Sequence, residues 1–240
     1  MKYVKYRIKK NITLIENTSN IGFGAACNLG ALNVKTEFVL FLNPDATLYE
    51  GTINAFLKAK DKYLNFSAMN PRIIRSDNKP FFKRRSHLLS RSLWMNRGWP
   101  TEDVEVPILS GSALFLKLEY FLGIGGFDEN IFLFHEDDDI SLRLEKKYGP
   151  LMFINDAVIK HDAGNSSVRT NKTTALKAWH MGKSKIYTIK KYKIPLGKTK
   201  AILYSLFTLI SPECIFSKRR RIKNYYFFKG IIAKNMTFKN

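Results

Sequence analysis

An apolar run that ends on oxygen-bearing side chains is the first feature of the sequence that suits chemistry. Residues 38–42 are all apolar, and the chain continues as Asn43-Pro44-Asp45. Such a run predicts a strand buried on both faces, and ligands of open α/β sheets bind beyond the carboxyl ends of strands. Amide and carboxylate oxygens there suit a hard divalent cation that also holds phosphate oxygens. The alternative is a plain turn, because Asn, Pro and Asp are all typical turn residues.

Four adjacent acids, Glu136 to Asp139, form the second feature. They follow the bulky apolar residues 131–134, where their charges are costly unless a cation or a proton offsets them. At helical spacing Glu136 and Asp139 share a face, whereas Asp137 points elsewhere. One carboxylate could act as a general base, and another could hold an acceptor or a cationic partner. The alternative is an acidic helix start that only matches the helix dipole.

A histidine and a glycine-rich segment add weaker signals. His161 follows the apolar residues 157–159, and histidine is a common metal ligand, although a lone histidine at a strand end is also an ordinary structural residue. Gly22, Gly24 and Gly30 let the backbone approach a ligand closely, but their spacing is neither the dinucleotide-binding fingerprint nor a P-loop. Neither signal identifies a ligand by itself.

The elements that must position these residues are strands that alternate with helices. Residues 76–107 are polar, basic and aromatic without a clear period, which indicates a long loop of the kind that often carries function. The alternation predicts an α/β domain. Strands are predicted at residues 12–15, 38–42, 108–116 with an interruption at 110–112, 152–154 and 157–159, and helices after residue 22, at 49–60, at 118–122 and from 135 onward.

The composition indicates an ordered protein of ordinary domain size. Its 240 residues are 45% hydrophobic, which is enough for a real core. The two cysteines, Cys27 and Cys214, lie far apart, so no disulfide framework is expected and a reducing compartment fits. The basic N-terminus lacks the apolar run of a signal peptide, and no stretch of about 18 apolar residues predicts a spanning helix.

The net charge of +20 is concentrated at one end of the chain. Residues 166–240 contain 18 lysines and arginines and a single acid, a net charge of +17, which leaves +3 for residues 1–165. This asymmetry predicts a domain at 1–165 and a basic extension at 166–240. It also indicates a polyanionic partner, either membrane phospholipid or nucleic acid.

The extension has the pattern of an interfacial membrane segment. A helix is predicted at residues 177–192, followed by an apolar run at 201–210 that is shorter than the ~20 residues needed to cross a bilayer. The basic residues 218–221 and the aromatic residues 225–228 come next. Because basic clusters beside aromatic side chains suit an anionic membrane surface, a cytoplasmic, peripheral location on the inner face of the plasma membrane is expected. The alternative is a solvated basic face.

The order of these motifs resembles the family 2 glycosyltransferases, and most closely their rhamnosyltransferase-like branch. The resemblance covers roughly residues 12–167 and implies an α/β fold of the GT-A-like nucleotide-diphospho-sugar transferase type, a mixed central sheet flanked by helices with a basic helical extension. Its motifs are Asn20-Ile-Gly-Phe-Gly24 with Asn28 and Gly30, then Asn43-Pro-Asp45, Gly111, Gly125-Gly-Phe-Asp128-Glu129, Glu136-Asp137 with Asp139 and Arg143, and His161.

Roles for single residues follow from the resemblance. Asp45 would bind a Mg²⁺ or Mn²⁺ ion that holds the donor diphosphate, and His161 would complete the metal shell. Asp137 would be the catalytic base. The other implied site residues are Glu136 and Asp139 with Arg143 at the catalytic end, Asn20, Gly24 and Asn28 near the donor nucleotide, and Asn43 in place of the usual first acid of the metal motif.

The implied reaction is inverting transfer of a sugar, with rhamnose indicated by the branch, from a nucleotide-diphosphate donor to a lipid-linked or polysaccharide acceptor in cell-surface glycan synthesis. In the family a strand, a helix and a second strand precede the Asn20 segment, so an N-terminally truncated fold is expected here. Two other interpretations stay open. One is a catalytically inactive remnant of the family. The other is a basic nucleic-acid-binding protein, against which the acids at 136–139 argue because they would repel phosphate.

Overall fold

A mixed β-sheet forms the centre of the computed structural model, which describes residues 12–161, 168 and 170–234. Its neighbouring strands run in the order β1-β6-β3-β7-β2, while β4 pairs with β3 and β5 pairs with β7. The β3–β7 pair is parallel and the other pairs are antiparallel, as the resemblance implied. The strands of the described chain are β1 (Phe38–Leu42), β2 (Ala46–Leu48), β3 (Ala68–Arg75), β4 (Pro80–Phe81), β5 (Val104–Val106), β6 (Ala113–Lys117) and β7 (Leu151–His161).

Helices cover both faces of this sheet, which explains the uninterrupted apolar run of β1. Val39 and Phe41 pack into the core cluster that contains Phe121 and Ile140, whereas the alternate residues Phe38 and Leu40 face the cluster around Phe56. The described helices are α1 (Phe23–Ala31), α2 (Thr52–Lys62), α3 (Leu118–Gly123), α4 (Glu136–Tyr148), α5 (Asn171–Lys191), α6 (Gly197–Leu209), α7 (Pro212–Phe216) and α8 (Lys218–Ile232). The predicted helices at 49–60, at 118–122 and from 135 onward are thus confirmed.

Three predicted strands, at 12–15, 152–154 and 157–159, differ from the structure. Residues 12–15 are an exposed coil, because no strand of the described chain pairs with them and β-branched side chains alone do not make a strand. Residues 152–154 and 157–159 belong to the single strand β7. The register with β3 shifts between Pro71 and Arg72, where β7 bulges at Asn155 and Asp156. These two polar residues interrupt the apolar pattern, and the sequence therefore suggested two strands.

The long loop 76–107 and the strand beyond it also have more structure than predicted. The loop contains β4, β5 and a single 3₁₀ turn at Arg91–Leu93, and it lies against the sheet. The strand predicted at 108–116 is only β6, because residues 108–112 precede it as a loop. That loop reaches the end of β1, where the candidate site forms.

The C-terminal helices pack on one another and on the sheet domain. In α5, which confirms the helix predicted at 177–192, the apolar side chains Trp179, Ile186 and Ile189 are buried. Added Cβ atoms on Gly182 or Gly230 would collide with the partner backbone, so these glycines allow α5 and α8 to cross closely. Within the described residues, no helix combines the length and the apolar character that crossing a membrane requires.

Candidate active site

The turn after β1 places Asp45 against His161 of β7. The N–H of Asn43 donates to the Ser112 carbonyl at 3.0 Å, and the N–H of Ala46 donates to the Asn43 carbonyl at 3.0 Å, so the chain reverses into β2. Strands β2 and β7 pair antiparallel with Ala46 opposite His161. As a result His161 Nε2 lies 3.2 Å from Asp45 Oδ1, and both side chains are largely buried.

The chemistry and the spacing of this pair fit a divalent cation. Carboxylate oxygen and imidazole nitrogen are both ligands of first-row divalent metals, and adjacent ligands on bonds of ~2.1 Å lie about 3 Å apart. The 3.2 Å between Asp45 Oδ1 and His161 Nε2 agrees with that separation. Asn43 lies two residues before Asp45 in the same turn and offers an amide oxygen. These residues could therefore hold the Mg²⁺ or Mn²⁺ ion that the resemblance implied.

Asp137 lies in the first turn of α4, and both of its carboxylate oxygens are held. The N–H of Gly111 donates to Oδ2 at 3.0 Å, and the N–H of Asp138 donates to Oδ1 at 2.9 Å. Lys83 Nζ, from the loop 76–107, lies 2.6 Å from Oδ2. The side chain of Asp137 remains 21% exposed, so a substrate hydroxyl can reach a carboxylate whose orientation is already fixed.

Residues 110–112 join these two parts of the site. Ser112 accepts the hydrogen bond from Asn43, and the adjacent Gly111 donates to Asp137. The side chain of Asn70, from β3, fixes this loop, because its Nδ2 donates to the Ser110 carbonyl at 3.0 Å and its Oδ1 accepts from the Ser110 N–H. The turn at 43–45 and the start of α4 therefore lie on either side of one short, pinned loop.

Glu136 is half-buried beside Asp137, and its surroundings favour the neutral carboxyl. Burial raises the pKa of Glu136 to about 8, and the charge of Asp137 contributes to the increase. Its Oε2 atom is buried and makes no hydrogen bond within the described chain, which a neutral carboxyl tolerates better than a carboxylate. A proton on Glu136 would relieve part of the repulsion expected among four adjacent acids.

Asp139 is fully buried and connects α4 to the end of α5. Arg143 donates to Asp139 Oδ2 through Nε at 2.8 Å, and its Nη2 lies 2.8 Å from the same oxygen. Lys191 Nζ lies 2.6 Å from Oδ1, and the Tyr192 hydroxyl donates to Oδ1 at 2.8 Å. Burial and the charge of Asp139 raise the pKa of Tyr192 above its usual value. These contacts tie the first turn of α4 to the end of α5, and a role for Asp139 and Arg143 in organising the site stays a prediction.

Of the three residues predicted near the donor nucleotide, Asn28 and Gly24 support the turn that follows α3, whereas Asn20 binds the backbone just before α1. Asn28 Oδ1 accepts from the Phe127 N–H at 2.8 Å, and its Nδ2 donates to the Phe127 carbonyl at 2.9 Å. A Cβ on Gly24 would collide with Phe127, so this glycine permits the close packing. Asn20 Oδ1 accepts from the Gly22 N–H at 3.1 Å. Their contacts serve the fold, and a role toward the nucleotide stays a prediction.

Four residues with no predicted role form a buried cluster behind Asp137. Ligand atoms of His87, His135 and Asp138 lie within 4.8 Å of one another, a spacing that could also hold a metal ion. Lys83 Nζ is 2.8 Å from Asp138 Oδ1, however, and offsets its charge without one. Burial opposes ionisation of Asp138, but the hydrogen bond from His135 and the charge of Lys83 outweigh it, so its pKa lies well below the usual range.

His87 and Lys83 could not be identified from sequence spacing, because both lie in the aperiodic loop. Burial lowers the pKa of His87 to about 3, and repulsion from His135 contributes. Burial also acts to lower the pKa of Lys83, but the carboxylates of Asp137 and Asp138 outweigh it and hold the pKa above its usual value. The cluster therefore supplies Asp137 with one fixed positive charge, on Lys83.

Comparisons with known proteins agree with this geometry. Residues 2–124 match the model of glycosyl transferase family 2, which is half of the chain. The N-acetylglucosaminyl-diphospho-decaprenol L-rhamnosyltransferases of two Mycobacterium tuberculosis strains, CDC 1551 / Oshkosh and ATCC 25618 / H37Rv, are each 28% identical to this chain over 188 residues. The match covers 66% of this chain and 61% of each relative, so the chain spans less than two thirds of their length.

Two solved structures share the fold at low identity. GalNAc-T7, solved with UDP, GalNAc and Mn²⁺, superposes with a TM-score of 0.52 at 16% identity over 91% of this chain and 44% of its own. The mannosyltransferase PcManGT from Pyrobaculum calidifontis, solved with GDP-Man and Mn²⁺, gives 0.51 at 13% identity over 93% and 70% of the two chains. Both confirm the predicted GT-A-like sheet with flanking helices. Family match, fold and site agree, and the chain belongs to glycosyl transferase family 2.

Proposed function

We propose that this chain transfers a sugar, with inversion, from a nucleotide-diphosphate donor to a hydroxyl of a lipid-linked or polysaccharide acceptor in cell-surface glycan synthesis. The observation that carries the proposal is the loop 110–112, which holds Asp137 through Gly111 and the turn of Asp45 through Ser112. The mycobacterial relatives supply the finer choice. Their name supports rhamnose as the sugar and a lipid-linked sugar diphosphate as the acceptor.

Asp137 is the general base of the proposed reaction. Its carboxylate accepts the proton of the acceptor hydroxyl while that oxygen attacks the anomeric carbon and the bond to the nucleoside diphosphate breaks. The sugar passes through an oxocarbenium-like state, and one displacement with one base inverts the anomeric centre. The N–H groups of Gly111 and Asp138, with Lys83, hold the carboxylate in one orientation during the transfer.

Asp45 and His161 would hold the divalent ion, with Asn43 offering a further oxygen. Such an ion, Mg²⁺ or Mn²⁺, would offset the negative charge on the leaving nucleoside diphosphate. We choose this pair over the His87–His135–Asp138 cluster because Lys83 already neutralises Asp138. Asn20, Gly24 and Asn28 keep their proposed place on the donor side, where Gly24 and Asn28 support the turn at 125–129.

The two parts of the chain have separate tasks in this proposal. Residues 1–165 perform the transfer, and residues 166–240 bind the anionic surface of the membrane that contains the acceptor. The charge of +17 in the second part supports this division. The chain would then work in the cytoplasm, peripherally on the inner face of the plasma membrane.

Substitution of the proposed base is the direct test. Asp137→Asn should reduce transfer from nucleotide-sugar donors by at least about 10³-fold, because amide nitrogen cannot accept the proton. Binding of the donor nucleotide, followed as a Mn²⁺-dependent rise in Tm, should persist. The matched control is Asp61→Asn, an exposed surface acid, which should behave as the wild type.

Two outcomes would overturn the proposal. Full activity of Asp137→Asn would remove the base. A wild-type chain that transfers no sugar and shows no Tm shift with any nucleoside diphosphate and Mn²⁺ would instead indicate a catalytically inactive member of the family.

A further inference from the structure

Helix α6 presents most of its large apolar side chains to solvent, whereas its small residues and Ile202 face the protein. Leu203, Phe207 and Ile210 recur at helical spacing on one side, and Phe207 and Ile210 are 68% and 79% exposed. The opposite side is formed by Ala201 and Ser205, both buried against α5 and α8. An ordinary surface helix has the reverse arrangement, with its apolar stripe toward the core.

Exposed apolar side chains occur again in α7, the next helix along the chain. Ile215 and Phe216 follow the turn after α6, and Phe216 is 88% exposed. Leu206 and Tyr204 widen the surface beside Phe207. We call this set the α6–α7 face: Leu203, Tyr204, Leu206, Phe207, Ile210, Ile215 and Phe216. A concentration of exposed large apolar side chains is typical of a contact with a partner or a membrane.

Basic residues border the α6–α7 face on both sides along the chain. Lys198 and Lys200 precede it in the first turn of α6, and Lys218 and Arg219 follow it at the start of α8, all of them exposed. The one acid of this part of the chain, Glu213, lies 2.9 Å from Arg220 and is thereby neutralised. An apolar centre with a cationic border is complementary to a bilayer whose headgroups are anionic.

The geometry fits a helix that lies in the headgroup region. With 13 residues α6 is about 20 Å long, which is shorter than the ~30 Å hydrocarbon core of a bilayer. Side chains such as Phe207 and Phe216 can reach the acyl boundary while the flanking lysines and arginines contact headgroup phosphates. Nucleic acid would contact the basic border but would leave the apolar centre without a partner.

We propose that the α6–α7 face is the docking surface of this chain for an anionic membrane. The inference deepens the proposed function by naming the surface that binds the membrane. It rests on that function in one respect, since the proposed lipid-linked acceptor lies in the same membrane. Docking itself requires no sugar transfer. Because Lys191 and Tyr192 at the end of α5 bind Asp139 behind the site, the docked helices have a fixed connection to Asp137.

The experiment is co-sedimentation of the full chain with vesicles of phosphatidylcholine alone and of phosphatidylcholine mixed with phosphatidylglycerol. Wild-type protein should sediment with the anionic vesicles and remain in solution with the neutral ones. The double variant Phe207→Ser/Phe216→Ser should lose at least about tenfold of its vesicle affinity, because two large apolar side chains no longer enter the bilayer. The control Leu32→Ser/Leu64→Ser removes two equally exposed apolar side chains elsewhere and should sediment as the wild type.

Membrane docking, self-association and sugar transfer give different results with these variants. Wild-type affinity of Phe207→Ser/Phe216→Ser for anionic vesicles would overturn the inference. A wild-type dimer that the double variant converts to a monomer, without vesicle binding by either, would assign the face to self-association and also overturn it. Transfer to a water-soluble acceptor should be the same in the wild type and the double variant. A wild type that docks but transfers no sugar would refute the proposed function and leave docking intact.

Discussion

The acidic site and the basic extension differ in how far their charges are paired within the chain. In the site, Asp137, Asp138 and Asp139 each have a cationic partner within the chain, namely Lys83 for the first two and Arg143 and Lys191 for the third. The extension has 18 basic residues and one acid, so most of its positive charge cannot be matched within it. The charges of the acidic site are thus paired within the chain, whereas those of the basic extension are available to an external anion.

Apolar side chains follow the same division. Around the site, Phe121, Phe127 and Ile140 are buried beneath the loops that hold Asp137. In the extension, Phe207 and Phe216 point to solvent. Preorganised charges cost little reorganisation at the moment of reaction, whereas unmatched charge and exposed apolar surface are useful only when something binds them.

Asp139→Asn should give the largest effect on stability. The substitution removes a buried carboxylate, so Lys191 keeps only Asp128 as an ion-pair partner and Arg143 keeps only backbone carbonyls, which costs about 3–5 kcal/mol. Urea unfolding would measure that loss, and the Tm should fall by about 10 °C.

The matched control for Asp139→Asn lies in the extension. Glu213→Gln breaks the ion pair between Glu213 and Arg220, and both side chains of this pair are more than half exposed. The loss of unfolding free energy should therefore stay below about 1 kcal/mol. Equal losses in the two variants would contradict the contrast between an internally matched site and a solvent-facing extension.

His180 of α5 tests whether this helix, although part of the extension, is as well ordered as the acidic site. Its ring stacks on Phe132 with centroids 4.1 Å apart, and burial lowers its pKa to about 4 from an ordinary 6.5. Between these values the unfolded chain binds the proton and the folded chain does not, so stability is lost as the pH falls from 6.5 to 4. The loss from this group should approach about 3 kcal/mol.

His180→Phe keeps a ring for stacking and removes the proton-binding group. The quantity to compare is the unfolding free energy of the wild type minus that of the variant. This difference should be about 3 kcal/mol more positive at pH 7 than at pH 4. Parallel pH profiles of the two proteins would show that His180 is accessible to protons in the folded chain.

The sequence revealed the elements whose pattern is local. Strand β1 and helix α4 follow from an apolar run and from an acidic helix start; β1 leads into the predicted Asn43 and Asp45, and α4 contains Asp137. Contacts between distant segments could not be predicted in this way. Asp45 meets His161 because the three-residue strand β2 pairs with β7, and no spacing rule indicates that pairing. The motif order of the family was the information that brought these two residues together.

Two features lay beyond both pattern and family. Lys83 contacts Asp137 from a loop without periodicity, where only the folded path of the chain decides which side chain arrives. The orientation of α6 depends on which side packs against α5 and α8, and the apolar run at 201–210 predicts only that the segment is hydrophobic. The coil at 12–15 shows the reverse error, because strand propensity without a pairing partner gave a false strand.

The smallest expected effect tests how closely the site is packed. A Cβ on Gly111 would lie 3.1 Å from Asp137 Cβ and 3.6 Å from its Cγ, so Gly111→Ala should shift the proposed base by a few tenths of an ångström. Because a displacement of about 1 Å can cost 10²-fold in rate, we expect kcat to fall about tenfold with little change in stability.

Gly30→Ala is the matched control for Gly111→Ala, because a Cβ at Gly30 meets nothing within 4 Å. Its kcat should equal that of the wild type, and its helix α1 should gain up to about 1 kcal/mol, since alanine favours the helix over glycine. If Gly111→Ala also keeps the wild-type kcat, the site tolerates movement of Asp137. Close packing around Gly111 would then not be a property that distinguishes the acidic site from the solvent-facing extension. Only the pairing of charges within the chain would distinguish them.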